Sequence, residues 1–251
     1  MILLMKYIVA AILTLAIVAL YLNRAYAHIF YFLNENNPGN PTTHMSFIIP
    51  PPTPSSAKIT YVALGDSLTA GVGAPEETQP YPYQLTKLLT KKYNAEVTLI
   101  NLGQPGATSA DVLRQQVPQV AGFHPDVVTL LIGVNDLHYQ MQDKVFKKSF
   151  AGIVDGLVST TKKLNVFTIP YIGNGAAFWP PYQTYFDQQT KRYNDIIREV
   201  ISGRKVTLID LYTLTHEQAF NDASYYSPDG FHPSATAYDL WSKIIYDHLD
   251  Y

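Results

Sequence analysis

Five short runs of apolar, largely β-branched residues, each stopped by a turn-forming residue, set the tightest limit on how this chain can fold. They cover 59–64 before Gly65, 97–101 before Leu102-Gly103, 127–132 before Gly133, 165–169 before Pro170 and 206–209 before Asp210. Between them lie stretches of helical periodicity at about 83–93, 109–117, 143–163, 184–202 and 234–249. Strands separated by helix-length segments are joined by crossovers, which makes neighbouring strands parallel. Runs this uniformly apolar suit strands covered on both faces. The expected unit is therefore α/β with a mostly parallel sheet. In an open sheet of this kind ligands bind beyond the carboxyl ends of the strands, so the polar residues that follow each run are where chemistry is to be sought.

The segment ahead of the first run has a different character. Residues 7–22 hold Thr14 as their one clearly polar residue. That stretch slightly exceeds the ~7–15 residues of a signal-peptide core and falls slightly short of the ~20 of a full membrane span. Ala25-Tyr26-Ala27 is a small-x-small triplet where a signal peptidase can cut, whereas the apolar stretch 28–33 that follows fits an uncut anchor. Pro38, Pro41, Pro50, Pro51, Pro52 and Pro54 then crowd into a segment that separates the apolar run from anything it could pack against. Residues 1–33 are expected to be a membrane anchor or signal peptide, 34–57 a Pro-rich linker, and 58–251 one globular domain with a substantial core. That domain is expected outside the cytoplasm, tethered to the membrane or released by cleavage after Ala27.

Composition excludes several function classes. Removing Lys6, Arg24 and Glu35 from the chain's 18 basic and 20 acidic residues leaves 16 against 19 in the domain. No basic stripe is present to attract a phosphate backbone, so nucleic acid is not an expected partner. The chain has no Cys, which excludes disulfides, thiolate nucleophiles and Cys-ligated metal centres. Nineteen Tyr, two Trp and eleven Phe point to large aromatic surfaces in a core or a ligand cleft.

Four clusters carry chemistry. Gly65-Asp66-Ser67-Leu68 follows the first run, at a turn that displays the Ser67 hydroxyl at the carboxyl edge of the sheet. Near the C-terminus stands Asp229-Gly230-Phe231-His232, bracketed by Pro228 and Pro233. Serine needs a base within hydrogen-bond reach, commonly His, itself oriented by a carboxylate. Three residues apart on one loop, Asp229 can reach the δ nitrogen of His232 while the ε nitrogen faces outward. Asn101 to Gly106 follows the second run and Gly133-Val134-Asn135-Asp136 the third. Gly106 offers an N–H with no side chain to obstruct a substrate, and Asn135 an amide donor. Such donors, aimed at the charge that develops on an attacked carbonyl oxygen, each lower the barrier by about 3–4 kcal/mol. Taken singly, each cluster is also an ordinary turn or helix cap.

Together, in this order, the four blocks resemble the SGNH family of GDSL-type serine esterases and lipases, and the resemblance covers essentially all of 58–251. It implies a three-layer α/β/α sandwich around a five-stranded parallel sheet, flavodoxin-like in strand order. It implies Ser67 as nucleophile, His232 as base and Asp229 as the acid that orients it. The oxyanion hole would be formed by the backbone N–H groups of Ser67 and Gly106 and the side-chain amide of Asn135. The chemistry requires no cofactor and no metal. The substrates it implies are small-molecule, lipid or acylated-glycan esters. An O-acyltransferase acting on a glycan hydroxyl would use the same residues, and a surface-tethered binding module would keep the fold without turnover.

Other features bear on the cleft. His138, just after Asn135, is placed either in the cleft or on the surface. Phe178-Trp179-Pro180-Pro181-Tyr182 follows the fourth run and is expected to form a lid or acyl-binding wall, with Phe178, Trp179 and Tyr182 as substrate contacts. The segment 75–83 is a candidate for the opposite rim. Asp66 and Asp136 are expected to fix their loops through turn and cap hydrogen bonds.

Overall fold

The computed structural model describes residues 2–35, 45–161 and 163–250. The chain opens with a long helix α1 (Ile2–Glu35) and a short strand β1 (Met45–Ile49). The run at 59–64 becomes β2 (Lys58–Gly65), followed by α2 (Ser67–Ala70) and α3 (Tyr81–Tyr93). Next come β3 (Glu96–Asn101), α4 (Ser109–Asp111), a π-helical turn (Val112–Gln116), α5 (Val117–Phe123), β4 (Val127–Leu131) and α6 (Val134–His138). The remainder is α7 (Asp143–Val158), β5 (Lys163–Phe167), α8 (Tyr182–Ile201), β6 (Thr207–Ile209), α9 (Leu211–Asn221) and α10 (Ala235–His248).

The sheet order is β1-β3-β2-β4-β5-β6. The five strands expected from the apolar runs pair parallel throughout, with Tyr61 opposite Leu99 on one side and Val127 on the other. Their order is the flavodoxin-like one. Parallel strands joined by right-handed crossovers put α3 and α10 together on one face and α5, α7 and α8 on the other, giving three layers. The core is buried on both faces of the central strands, from Tyr61, Val62 and Leu64 to Phe146, Phe150 and Phe167.

Two differences from expectation stand out. Residues 45–49, placed in the linker by sequence, add a sixth strand, and it runs antiparallel to β3. Its alternation buries Met45 and packs Phe47 edge-on against Tyr83, with ring centroids 4.9 Å apart. Pro50 then ends it at the sheet edge, where a proline costs no ladder hydrogen bond. The rest of the expected linker, 36–44, lies outside the described residues. The expectation that nothing packs against the N-terminal apolar run also fails. Ala25 and Ile29 of α1 are buried, and the Tyr21 hydroxyl donates to the Pro180 carbonyl at 2.8 Å.

The helix expected to stop at 117 continues to Phe123, because the π-helical turn absorbs Pro118. A wider turn frees the backbone acceptor that the proline ring cannot donate to. Helix α9 has no counterpart among the helical stretches read from the sequence, although Asp210 caps it by accepting from the Thr213 N–H at 3.3 Å. His124 takes a left-handed conformation at the end of α5, away from the carboxyl edge.

Candidate active site

Ser67 is the first residue of α2, immediately after β2. The turn is held from three directions. A Cβ at Gly65 would sit 2.2 Å from the Leu131 carbonyl oxygen, so only glycine lets β2 and β4 approach this closely. The Gly65 N–H donates to Gln116 Oε1 at 3.0 Å, and Gln116 Nε2 donates back to the Gly65 carbonyl at 2.8 Å. Asp66 caps α2 by accepting from the Leu68 N–H at 3.0 Å. From the next strand, Asn101 Nδ2 donates to the Thr69 carbonyl at 2.8 Å.

The loop 226–233 closes on itself to present the second half of the site. The Ser227 N–H donates to the His232 carbonyl at 2.8 Å and the Gly230 N–H to the Ser227 carbonyl at 2.8 Å. Asp229 is buried inside it and fully engaged. Its Oδ1 accepts from Ser227 Oγ at 2.7 Å and from the Phe231 and His232 N–H groups at 2.9 Å each. Its Oδ2 lies 2.5 Å from His232 Nδ1. Burial alone would raise the Asp229 pKa, but the hydrogen bond and charge of His232, with the N–H donors, hold the carboxyl below the ordinary carboxylate value. His232 Nε2 lies 3.0 Å from Ser67 Oγ. Hydroxyl, imidazole and carboxylate thus form one chain along which a proton can leave the serine.

The expected oxyanion donors converge on the same space. Ser67, Gly106, Asn135, Asp229 and His232 all line one cavity of about 310 Å³. Gly106 has φ +80 and open space where a Cβ would stand. Neither its N–H nor that of Ser67 has a partner among the described residues. Asn135 Nδ2 donates one hydrogen to the Ala107 carbonyl at 2.9 Å, which fixes the amide and leaves its second hydrogen.

Two buried carboxyls sit behind these loops. Asp136 accepts from the Ser109 N–H at 2.8 Å and Ser109 Oγ at 2.5 Å, tying the loop after β4 to that after β3; burial is the main cause of its raised pKa. Asp66, fully buried, is pushed up to about 7, chiefly by burial and in part by the charge of Asp136.

The expected substrate contacts divide. His138 lines the cavity, stacked on Phe186 with centroids 5.3 Å apart, and burial together with nearby His232 lowers its pKa. Phe178 does not reach the cavity. It is buried behind the wall against Phe186 and Phe231, because an apolar ring following a central strand finds the core first. Trp179 turns outward onto His28 of α1, with centroids 4.1 Å apart. Tyr182 lines an adjoining cavity and donates to the Leu22 carbonyl at 3.3 Å. No residue of the 75–83 segment lines the cavity, and its Tyr81 is buried in the core and bonded to Thr69. Sequence reasoning missed Gln116, Ser227 and Phe30. The first two are polar residues whose partners are far away or hidden in a tight loop, and Phe30 lies in the segment read as separate from the domain.

Comparison with known proteins bears on the family and the fold. The model of the GDSL-like lipase/acylhydrolase family matches residues 63–240. A spore germination lipase from Bacillus licheniformis is 23% identical over 207 residues, spanning 74% of this chain and 93% of that protein. An arylesterase from Vibrio mimicus is 24% identical over 196 residues, spanning 78% and 90%. The crystal structure of a lipolytic G-D-S-L protein from Veillonella parvula superposes with a TM-score of 0.63 at 15% identity, covering 76% of this chain and 97% of that one.

Proposed function

The chain belongs to the GDSL-like lipase/acylhydrolase family, whose members act on ester bonds, and we propose that it hydrolyses acyl esters through an acyl-Ser67 intermediate. The observation that carries this reading is the unbroken run from Ser67 Oγ through His232 to Asp229, at 3.0 and 2.5 Å. His232 Nε2 takes the hydroxyl proton as Oγ attacks the ester carbonyl. The negative charge forms on the carbonyl oxygen, facing the N–H groups of Ser67 and Gly106 and the free amide hydrogen of Asn135. Collapse expels the alcohol, which leaves with the proton from His232. Water, deprotonated by the same nitrogen, then attacks the acyl-serine and releases the acid.

In this reading the reaction takes place outside the cytoplasm. Residues Leu3–Phe32 are long and apolar enough to cross a membrane, with mean hydropathy 2.5, which supports an anchor or an export signal.

The test uses the full chain in detergent micelles with p-nitrophenyl acetate and a fluorophosphonate probe. Turnover and labelling are expected in the native chain, and Ser67→Ala should abolish labelling and lower kcat by a factor on the order of 10⁶. Labelling that survives Ser67→Ala would refute the nucleophile. Intact protein that neither turns over nor labels would leave only a binding role, and acyl transfer to an added sugar in preference to water would make the protein a transferase.

A further inference from the structure

The last three turns of α1 lie across the mouth of the candidate site. Ala25 and Ile29 are buried against the domain, and the Tyr26 and Tyr182 rings sit 5.8 Å apart. The Phe32 ring edge lies where a Cβ on Gly230, in the loop that carries His232, would be 2.9 Å away. Phe30 lines the 310 Å³ cavity together with Ser67 and His232. It also lines a second cavity of about 180 Å³ between helix and domain, whose other walls include Ile29, Tyr26, His138, Tyr182 and Phe186. The two cavities share Phe30 and His138 and so adjoin. The second is enclosed mainly by aromatic and aliphatic surface and leads away from Ser67 along α1.

The remainder of α1 is built for lipid. From Leu3 to Leu20 its large apolar side chains are about half or more exposed. At ~1.5 Å per residue that stretch spans about 27 Å, close to the ~30 Å hydrocarbon core. Contact with the domain begins at the next residue, Tyr21. Tyr21, Tyr26, Tyr31 and Trp179 are partly exposed around this junction, the ring chemistry that settles at the headgroup level. A domain docked so soon after a membrane-length helix is held with its cleft against the bilayer surface.

We propose that α1 is retained in the working enzyme and forms one wall of an acyl-chain site, so that the substrates are esters of membrane lipids whose chain lies between α1 and the domain. This rests on the esterase reading and specifies its substrate. A chain leaving the bilayer beside α1 stays in apolar contact along Ile29, Phe30 and Phe186 while its ester group reaches Ser67. Cleavage after Ala27 would sever this wall, since the buried Ala25 and Ile29 flank the cut.

The test compares p-nitrophenyl palmitate with p-nitrophenyl acetate on the full chain in phosphatidylcholine vesicles. Phe30→Trp, which narrows the passage between the cavities, should lower the palmitate-to-acetate ratio of kcat/KM about tenfold, the cost of excluding roughly two methylenes from an apolar site. An unchanged ratio overturns the proposal. A second measurement does not depend on activity: because the chain has no Cys, Tyr26→Cys with Tyr182→Cys gives one pair for a short bis-maleimide. An intramolecular link is expected in vesicles, and its absence overturns the docked helix. Acetate turnover insensitive to Ser67→Ala would instead sink the esterase reading, leaving the link to judge the helix separately.

Discussion

Replacing Asp66 by asparagine should change how the stability of the protein depends on pH. The carboxyl is fully buried, one of its oxygens has no hydrogen-bond partner, and Asp136, Tyr81 and Tyr238 face it. Its pKa rises from 3.8 to about 7, mainly because burial disfavours the charged form. In the unfolded chain the group ionises near 3.8, so from there up to about 7 the folded state holds a proton that the unfolded state has lost. The contribution to stability is therefore fully present below 3.8 and is lost as pH rises through 7. Over the whole window the loss is about 4 kcal/mol, and between pH 5 and pH 8 about 2.6 kcal/mol.

The amide introduced by Asp66→Asn keeps an acceptor for the Leu68 N–H and cannot titrate. Measured against wild type, the variant should gain about 2.6 kcal/mol in relative stability between pH 5 and pH 8, roughly 5–10 °C in Tm for a chain of this size. The comparison of variant with wild type cancels the opposite contributions of carboxyls such as Asp229 and Asp210, whose pKa values are lowered. Thermal unfolding of both proteins at the two pH values in the same detergent decides the matter. A Tm difference that stays constant from pH 5 to pH 8 would refute the assignment of a buried, proton-holding Asp66.

Two further changes probe the site. Asp229→Asn keeps the shape of the loop but removes the acceptor that fixes the His232 tautomer, and kcat for p-nitrophenyl acetate should fall by about 10⁴; a fall of less than tenfold would show that His232 is oriented by something else. Gln116→Ala strips two hydrogen bonds from the buried Gly65 peptide, so unfolding in urea should show a loss of about 2–4 kcal/mol and kcat should drop while KM holds. An unchanged kcat would mean that Gly65 and its neighbours keep Ser67 in place unaided.

The parts of this protein that sequence exposes are those whose cause is local. An apolar, largely β-branched run stopped by a turn-forming residue reads as a buried parallel strand wherever it occurs, and all five such runs pair as expected. Asp229 and His232 are three residues apart in a loop closed by its own hydrogen bonds, so their contact also follows from a short stretch of chain. Ser67 meets His232 across 165 residues; that contact was anticipated from the order of four blocks, since no local rule contains it. Gln116 carries no signal because its role depends on a π-helical turn that rotates it toward Gly65. The edge strand at 45–49 and the docking of α1 were hidden for a shared reason. Prolines around 50–54 read as a spacer, yet a spacer fixes only the distance between its ends. What lies at those ends decides whether they meet: alternating Met45, Phe47 and Ile49 find the free edge of β3, and Ala25, Ile29 and Phe30 find the aromatic surface around Tyr182 and Phe186. An N-terminal helix that returns to its own domain contributes Phe30 to the walls of the cavity holding Ser67, and under the acyl-chain proposal the identity of residue 30 is expected to bear on specificity although it lies 37 positions before Ser67.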